Sequence, residues 1–271
     1  MLRTAAAQPD VLTYGPVTPL LAYTAACLGA AVGLRCAMRA PGAERRERAA
    51  WLALGSIAIG VGIFIMHFVA MIGFSVGEAP IGYDMLTTYG SLLLAVVVST
   101  IALFLVSRRR HAWLAVLGGG LILGLGVAST HYVGMMGMRV AGAVRYDDRI
   151  MAISAAVAVV VTSLALWCAR VRHMGASLAA ALIMGFGFVG MHYTGMAGMS
   201  VRLYSYDGAA GSTSALGTLT PVLIGPVLLL LLITLFVSLD PMMERDGRRK
   251  WGTRPGEGTG EKLEWVPFEQ R

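Results

Sequence analysis

Gly187-Phe-Val-Gly-Met-His-Tyr-Thr-Gly-Met-Ala-Gly-Met199 places one histidine and three methionines inside an apolar stretch of the chain. Two earlier stretches align with it without a gap: Gly126-Val-Ala-Ser-Thr-His-Tyr-Val-Gly-Met-Met-Gly-Met138 and Gly62-Ile-Phe-Ile-Met-His-Phe-Val-Ala-Met-Ile-Gly-Phe74. His67, His131 and His192 therefore occupy equivalent positions, which recur after 64 and 61 residues. Self-similarity at such a period indicates an internal repeat.

The composition is that of a membrane protein. Hydrophobic residues make up 56% of the sequence, charged residues only 14%, and the mean hydropathy is +0.69. Soluble globular domains carry about 25% charged residues, so the composition excludes that class. The net charge of +7 comes from arginines at the ends of apolar segments and in the C-terminal tail. This distribution reflects membrane topology, and we expect no binding of nucleic acid.

Seven apolar segments of about 20 residues are long enough to cross a bilayer as helices. They span residues 19–38, 52–74, 89–106, 114–138, 150–169, 177–199 and 217–238. We predict an all-α polytopic membrane protein with seven transmembrane helices and three internal two-helix repeats. Glycines concentrate around the motifs, which indicates that the second, fourth and sixth helices form the inner bundle. We expect an extracytoplasmic segment at 1–18, the membrane domain at 19–238 and a disordered cytoplasmic tail at 239–271.

The arginine distribution predicts the orientation, because positively charged loops stay in the cytoplasm. The connections after the first, third and fifth segments carry clusters such as Arg45-Arg46 and Arg108-Arg109-Arg110, whereas residues 75–88 contain no Lys or Arg. We therefore expect a multi-pass membrane protein, surrounded by the lipid bilayer. Its N-terminus lies outside, its C-terminus lies in the cytoplasm, and all three histidines lie in the outer leaflet.

A methionine follows each histidine four residues later, in the pairs His67 and Met71, His131 and Met135, and His192 and Met196. Residues at this spacing share one face of a helix. Imidazole and thioether ligands together favour copper, and Cu(I) in particular, although three histidines also suit zinc. Histidines can also simply hydrogen-bond across helices, and methionines can simply pack. Ionisable residues at membrane depth are rare, and three in register favour a shared metal.

Further candidate ligands lie next to these pairs. Met66 and Met191 directly precede their histidines, but Thr130 takes this place in the second repeat. Met138 and Met199 would extend the methionine stripe by another helical turn, where Phe74 stands in the first repeat.

Other repeated residues are candidates for orienting the histidines. Tyr132 and Tyr193 follow theirs, but Phe68 lacks the hydroxyl, which favours a packing role. Asp84, Asp147 and Asp207 each follow a tyrosine, 17, 16 and 15 residues beyond the corresponding histidine. They are interpreted either as caps of the next helix or as carboxylates at the outer mouth of the site.

Met191-His192-Tyr193-Thr194 resembles the signature of the bacterial MHYT domain, and the resemblance covers about residues 10–240. That family is an integral membrane sensor module in which the motif occurs three times, and the resemblance implies a location in the bacterial inner membrane. The resemblance implies that the motif histidines and methionines bind copper near the outer membrane face and that the domain senses O2, CO or NO. Better-known members are fused to diguanylate cyclase, phosphodiesterase or kinase domains. No such domain follows the seventh segment, so we expect a stand-alone form that signals to a separate cytoplasmic protein.

Three functions compete at this point. A copper-dependent sensor of a diatomic gas or of redox state is the leading hypothesis. A copper-handling or transport protein and a haem-binding membrane cytochrome are the alternatives. We recognise no paired nucleophile and base and no phosphate-binding glycine loop, and therefore expect no enzymatic activity.

Overall fold

Seven helices are present in the computed structural model, which describes residues 5–7, 9–77, 79–107, 112–170, 174–203 and 215–239. They are α1 Val17–Arg39, α2 Arg45–Ile72, α3 Met85–Val106, α4 Ala112–Met136, α5 Asp148–Ala169, α6 Met174–Ala197 and α7 Ala215–Leu239. All seven are long and apolar enough to cross a membrane. The predicted all-α fold with seven transmembrane helices is confirmed. Apart from Leu239, the predicted tail lies outside the described residues.

Helices α1 to α6 form a closed ring. Each helix packs against the next one in the chain, and α6 packs against α1. The motif helices α2, α4 and α6 also contact one another across the centre of the ring. In the membrane-spanning part of α2, 78% of the residues are buried, against 28% for α3 and for α5. The prediction that the motif helices form the inner bundle is confirmed, and the three repeats surround a pseudo-threefold axis.

Paired glycines in each motif helix set the spacing of the ring. Gly60, seven residues before His67, faces α3, where an added Cβ would lie 2.7 Å from the Val96 backbone. Gly124, the equivalent residue of α4, would bring a Cβ to 2.5 Å from the Val159 Cα in α5. The glycines five residues before the histidines face the other flanking helix; the contacts are Gly62 with Gly29, Gly126 with Val98, and Gly187 with Val161. Helices therefore approach closely at these positions, as is common inside membranes.

The seventh helix packs on the outside of the ring against α1 and α2. Arg39 at the end of α1 donates a hydrogen bond of 3.0 Å to the Val237 carbonyl oxygen. The Arg39 guanidinium also lies 4.7 Å from the centre of the Trp51 ring, and the Phe236 ring lies 6.2 Å from Trp51. These contacts tie α7 to the end of the ring that is opposite to the histidines.

Among the described residues, five short strands cap the histidine end of the ring. They are β1 Ala5–Ala7, β2 Gly82–Tyr83, β3 Met138–Arg139, β4 Gly142–Tyr146 and β5 Met199–Leu203. One antiparallel sheet has the order β1-β5-β4, and β2 pairs with β3. Tyr83 is opposite Met138, and Tyr146 is opposite Met199. The first two repeats thus pair their Tyr-Asp loops with the residues that follow the next motif helix.

Met138 and Met199 do not extend a helical stripe, so that prediction is wrong. Helix α4 ends at Met136 and α6 ends at Ala197, before either methionine. The amides of Gly137 and Gly198 bond to the carbonyls of Gly134 and Gly195, three residues back, at 3.1 and 3.2 Å. This tightened last turn ends each helix. The chain then enters the capping strands, which carry both methionines.

Candidate metal centre

The three motif histidines meet on the pseudo-threefold axis. The Nδ1 atom of His67 lies 3.2 Å from that of His192 and 3.2 Å from that of His131, and the Nδ1 atoms of His131 and His192 are 3.1 Å apart. The ring planes are nearly perpendicular, at 75° to 86°. Each histidine is only 1% exposed. The structure therefore brings together all three histidines that the sequence singled out, with one nitrogen of each at a common point.

Hydrogen bonds alone do not satisfy this triangle. An imidazole nitrogen presents either an N–H group or a lone pair in the ring plane. Among three Nδ1 atoms in mutual contact, at least two must present the same kind of group. One side of the triangle is then either lone pair against lone pair or N–H against N–H. A cation near the centre removes the conflict, because all three lone pairs point towards it.

The size of the triangle fits a metal ion. Its sides of 3.1 to 3.2 Å put the centre about 1.8 Å from each nitrogen, close to the bond length of about 2.0–2.1 Å between zinc and an imidazole nitrogen. Among the described residues, His67, His131 and His192 are the group of histidine, cysteine and acidic side chains that could hold a metal. Imidazole nitrogens suit copper and zinc better than magnesium or calcium.

The outward-facing nitrogens lie against glycines. The Nε2 atoms of His67 and His131 are buried and have no hydrogen-bond partner among the described residues. A Cβ added to Gly134 would lie 2.6 Å from His67 Nε2, and one added to Gly195 would lie 3.1 Å from His131 Nε2. Each glycine comes three residues after the histidine of the neighbouring motif helix. Sequence reasoning missed this role, although the glycine at that spacing in the second and third motifs is a visible signal.

Comparison with known proteins agrees with the repeat architecture. The family described as "Bacterial signalling protein N terminal repeat", MHYT, matches residues 60–119 and 124–182. The chain belongs to the MHYT family. It is therefore a multi-pass membrane protein of a signalling family, with the MHYT repeat in its central helices.

Several curated signalling proteins are similar to this MHYT chain. The bifunctional diguanylate cyclase/cyclic di-GMP phosphodiesterase MucR of Pseudomonas aeruginosa is 39% identical over 241 residues, which is 86% of this chain and 35% of the relative. The cyclic di-GMP phosphodiesterase NbdA of the same species is 34% identical over 198 residues, 69% of this chain and 24% of the relative. The signaling protein YkoW of Bacillus subtilis is 28% identical over 194 residues, 68% of this chain and 24% of the relative.

The chain thus spans about a third of the length of MucR and about a quarter of NbdA and YkoW. The activities in those names belong to the longer relatives. No solved structure matches the chain.

Apart from Met136, which is 75% exposed, the methionines of the MHYT motifs are buried in two groups. Met71, Met135 and Met196, four residues after the histidines, are 0%, 4% and 2% exposed and belong to one apolar cluster. Met138 and Met199 on the capping strands belong to the same cluster. Met66 and Met191 lie in a different cluster, with Ile63 and Phe188. The methionines four residues after the histidines therefore pack with the capping strands, whereas those directly before the histidines do not.

The aromatic residue after each MHYT histidine packs against the imidazole edge to face. The ring centres of His67 and Phe68, His131 and Tyr132, and His192 and Tyr193 are 4.6, 4.7 and 5.0 Å apart. The Tyr132 hydroxyl hydrogen-bonds to the Ser154 hydroxyl of α5 at 2.8 Å. Ring packing is the feature that all three motifs share, which agrees with the packing role that Phe68 indicated.

The aspartates of the Tyr-Asp loops cap helices. The Asp84 carboxylate accepts hydrogen bonds from the Thr87 amide at 2.9 Å and the Thr87 hydroxyl at 2.6 Å at the start of α3. Asp147 caps α5 by accepting from the amides of Arg149 and Ile150 at 2.9 and 3.2 Å. The capping interpretation is confirmed for both, while Asp207 lies outside the described residues.

The same loops also connect neighbouring repeats. The Asp84 amide donates to the Gly137 carbonyl at 2.8 Å, and the Asp147 amide donates to the Gly198 carbonyl at 2.9 Å.

The surroundings of the cap shift the pKa values of its ionisable groups. Hydrogen bonds from the Thr87 hydroxyl and the Thr87 amide, together with the nearby Arg139, hold the pKa of the Asp84 carboxyl below its usual range. In the strands, burial raises the pKa of the Tyr83 phenol, and burial with the nearby Tyr132 raises that of Tyr146 to about 12.

Proposed function

We propose that this chain is an integral membrane sensor module in which His67, His131 and His192 hold a copper ion. It detects a diatomic gas, O2, CO or NO, or the redox state of its surroundings. The observation that supports the metal is the Nδ1 triangle with sides of 3.1 to 3.2 Å. Copper bound there supplies a one-electron redox couple and affinity for small soft ligands.

The residues around the triangle exclude water from it. Ile63, Val127 and Phe188, four residues before the histidines, are each 0% or 1% exposed. Met71, Met135 and Met196, four residues after them, are almost as deeply buried and place thioethers on the histidine face of each helix. An uncharged diatomic molecule crosses such apolar surroundings easily, whereas a hydrated ion does not. This selectivity favours gas sensing over detection of a soluble ion.

A copper transporter is the weaker alternative. Transport through the ring needs polar or thioether groups on the far side of the histidines as well. Beyond Ile63, Val127 and Phe188, the next residues on the same helix face are Ile59, Leu123 and Met184, all 0% exposed. Only Met184 offers a ligand atom in this layer. The apolar layers therefore favour a bound ion that stays at one end of the ring.

A haem site also fits the geometry poorly. Two histidines that ligate one haem iron stand on opposite faces of the porphyrin, so the macrocycle has to pass between them. In this structure the three Nδ1 atoms are in direct contact, and the surrounding side chains are closely packed. Haem binding would require the motif helices to separate.

The output of the module is proposed by analogy with the relatives. MucR and NbdA carry names that refer to cyclic di-GMP turnover. We place the histidine end of the ring at the outer leaflet of the inner membrane and the other end in the cytoplasm, from the arginine distribution. The paired glycine contacts link each motif helix to both of its neighbours, so a shift of one histidine-bearing helix would repack the ring. A cytoplasmic signalling partner or domain reads that change.

Metal analysis tests the central claim. The full chain, purified without chelator, is expected to contain about one copper ion, because one triangle holds one ion. The triple variant His67→Ala, His131→Ala, His192→Ala is expected to contain none. A matched control is the double variant His111→Ala, His173→Ala, which removes histidines outside the motifs and should keep the metal. Equal copper content in the triple variant and the wild type would refute the proposal. A Soret absorption band in the purified protein would show that the cofactor is haem and not copper.

A further inference from the structure

A membrane-facing cleft opens between α4 and α5, at the end of the ring opposite to the histidines. Its volume is about 580 Å3, and Trp113 and Val116 of α4 and Leu164 and Trp167 of α5 line its sides. Ser163 also lines it, as does Arg170, the residue that follows α5. Trp113 and Trp167 are 65% and 67% exposed. Tryptophan at a helix end marks the headgroup level of the bilayer.

The cleft exists because the two helices touch further along and separate towards their ends. A Cβ on Gly120 would lie 2.6 Å from the Ser163 Cα, and one on Gly124 would lie 2.5 Å from the Val159 Cα. This close contact fixes the deep end of the cleft at Ser163. Bulky tryptophans then occupy both helices at the open end. The result is a wedge with apolar walls and a mouth at the membrane surface.

The equivalent gap between α2 and α3 is closed by an arginine. Arg48 donates a hydrogen bond of 2.7 Å from Nη2 to the Ser107 carbonyl oxygen and lies 3.4 Å from the Ser107 hydroxyl. In the repeat alignment that matches Gly60 with Gly124, Arg48 corresponds to Ala112. In the alignment that matches Val96 with Val159, Ser107 corresponds to Arg170. Ala112 has no side-chain donor. In the α2–α3 pair the arginine belongs to the first helix, whereas in the α4–α5 pair it follows the second helix. The α4–α5 gap stays open, with the Arg170 guanidinium at its mouth.

Charge at this end of the chain favours an anionic occupant. In the sequence, Arg108, Arg109 and Arg110 come shortly before Trp113, and Arg172 follows Arg170. Arginines next to a helix end attract anionic lipids. A membrane cleft with tryptophan sides and an arginine at the mouth matches one acyl chain with a negatively charged headgroup.

We infer that the α4–α5 cleft is a binding site for an anionic phospholipid. One acyl chain lies between Trp113 and Trp167, and the phosphate lies at Arg170. The inference does not depend on a metal at the histidines. A bound lipid would support the wedge that separates the ends of two neighbouring helices of the ring.

Tryptophan quenching by brominated lipids tests this inference. The full chain with Trp51, Trp251 and Trp265 replaced by Phe keeps only the two cleft tryptophans. It is placed in phosphatidylcholine nanodiscs with increasing amounts of brominated phosphatidylglycerol or brominated phosphatidylcholine. We expect half-maximal quenching at a mole fraction of brominated phosphatidylglycerol about fivefold lower than that of brominated phosphatidylcholine. Equal quenching by the two lipids would exclude an anionic site.

Three variants in this background locate the headgroup. Arg170→Gln is expected to abolish the preference, while Arg170→Lys keeps the charge and should retain it. Arg145→Gln removes an exposed arginine at the opposite end of the ring and should leave the preference unchanged. A preference that persists in Arg170→Gln would overturn the assignment of the phosphate to Arg170. Circular dichroism and elution volume check that each variant is folded.

Discussion

The Nε2 atom of His67 lies so close to Gly134 that a single added methyl carbon would come within 2.6 Å of it. This contact joins two motif helices through a ring nitrogen and a glycine that are far apart in the sequence. The opposite nitrogen, Nδ1, meets those of His131 and His192 at 3.2 Å. Gly134 thus contacts the Nε2 side of the His67 ring, while Nδ1 of the same ring points to the candidate metal position.

Gly134→Ala is therefore expected to impair metal binding. The new methyl group must displace the His67 ring, which breaks the convergence of the three nitrogens. We expect copper affinity to fall by at least about tenfold, equivalent to about 1.4 kcal/mol. Gly195→Ala should have a smaller effect, because the corresponding distance to His131 Nε2 is 3.1 Å.

Gly190→Ala is the matched control, since a Cβ there has its nearest neighbour at 3.8 Å, an ordinary contact. Copper titration of the three purified variants gives the comparison. Equal affinities for Gly134→Ala and Gly190→Ala would show that the His67 ring does not need the glycine.

Replacing Met71, Met135 and Met196 together by Leu tests the thioethers. The exchange keeps apolar bulk, so the free energy of unfolding should change by less than about 1.5 kcal/mol for each site. Loss of three soft donors should lower Cu(I) affinity more than Cu(II) affinity. Competition with a Cu(I)-specific chelator measures this. An unchanged Cu(I) affinity would assign these methionines to packing alone.

The close helix contacts predict that replacing a glycine by alanine destabilises the protein where the glycine faces a neighbouring helix, but not where it faces open space. Gly60→Ala and Gly124→Ala force a methyl group against the backbone of a neighbouring helix and should destabilise the protein by about 1–3 kcal/mol each. Gly90→Ala in α3 meets no atom within 4 Å and should be neutral or slightly stabilising. Thermal unfolding in detergent compares them. Similar unfolding temperatures for Gly60→Ala and Gly90→Ala would contradict the close contact of α2 and α3.

Acid should weaken the cap at Asp84. Because its folded-state pKa lies below the unfolded value of about 3.9, the carboxylate contributes stability above that value. This contribution is lost as the pH falls through the folded-state pKa. Asp84→Asn removes the titrating group, so its unfolding temperature should fall less than that of the wild type between about pH 6 and pH 3. Parallel decreases in both proteins would show that this carboxylate is not responsible.

The orientation predicts the behaviour of topology reporters. A reporter that is active only in the cytoplasm should work when fused after Asp240 and fail when inserted at Glu78, because the arginine-rich loops remain inside. The reverse pattern would move the histidines to the inner leaflet. It would also place the α4–α5 cleft on the outer side.

Much of this architecture could be predicted from the sequence. Apolar length specified seven spans, and the gap-free repeat placed His67, His131 and His192 at one depth in three helices. The i+4 spacing put Met71, Met135 and Met196 on the histidine face. These conclusions depend only on properties of single segments, since helix geometry converts spacing along the chain directly into a face and a depth.

Tertiary structure decided how the segments meet. Which imidazole nitrogen points to the axis, and the contact of Gly134 with His67, depend on the distance between α2 and α4. Both helices pack closely against α3, through Gly60 with Val96 and Gly126 with Val98. The capping strands took Met138 and Met199 off the helices, because the amides of Gly137 and Gly198 close the last turn. Asp84 and Asp147 cap helices, as the sequence indicated, but only the structure shows that their amides also donate to Gly137 and Gly198 of the neighbouring repeat. The orientation of the imidazoles, the contact of Gly134 with His67 and the bonds between repeats depend on atoms of residues distant in sequence, and the periodicity of one helix carries no information about them.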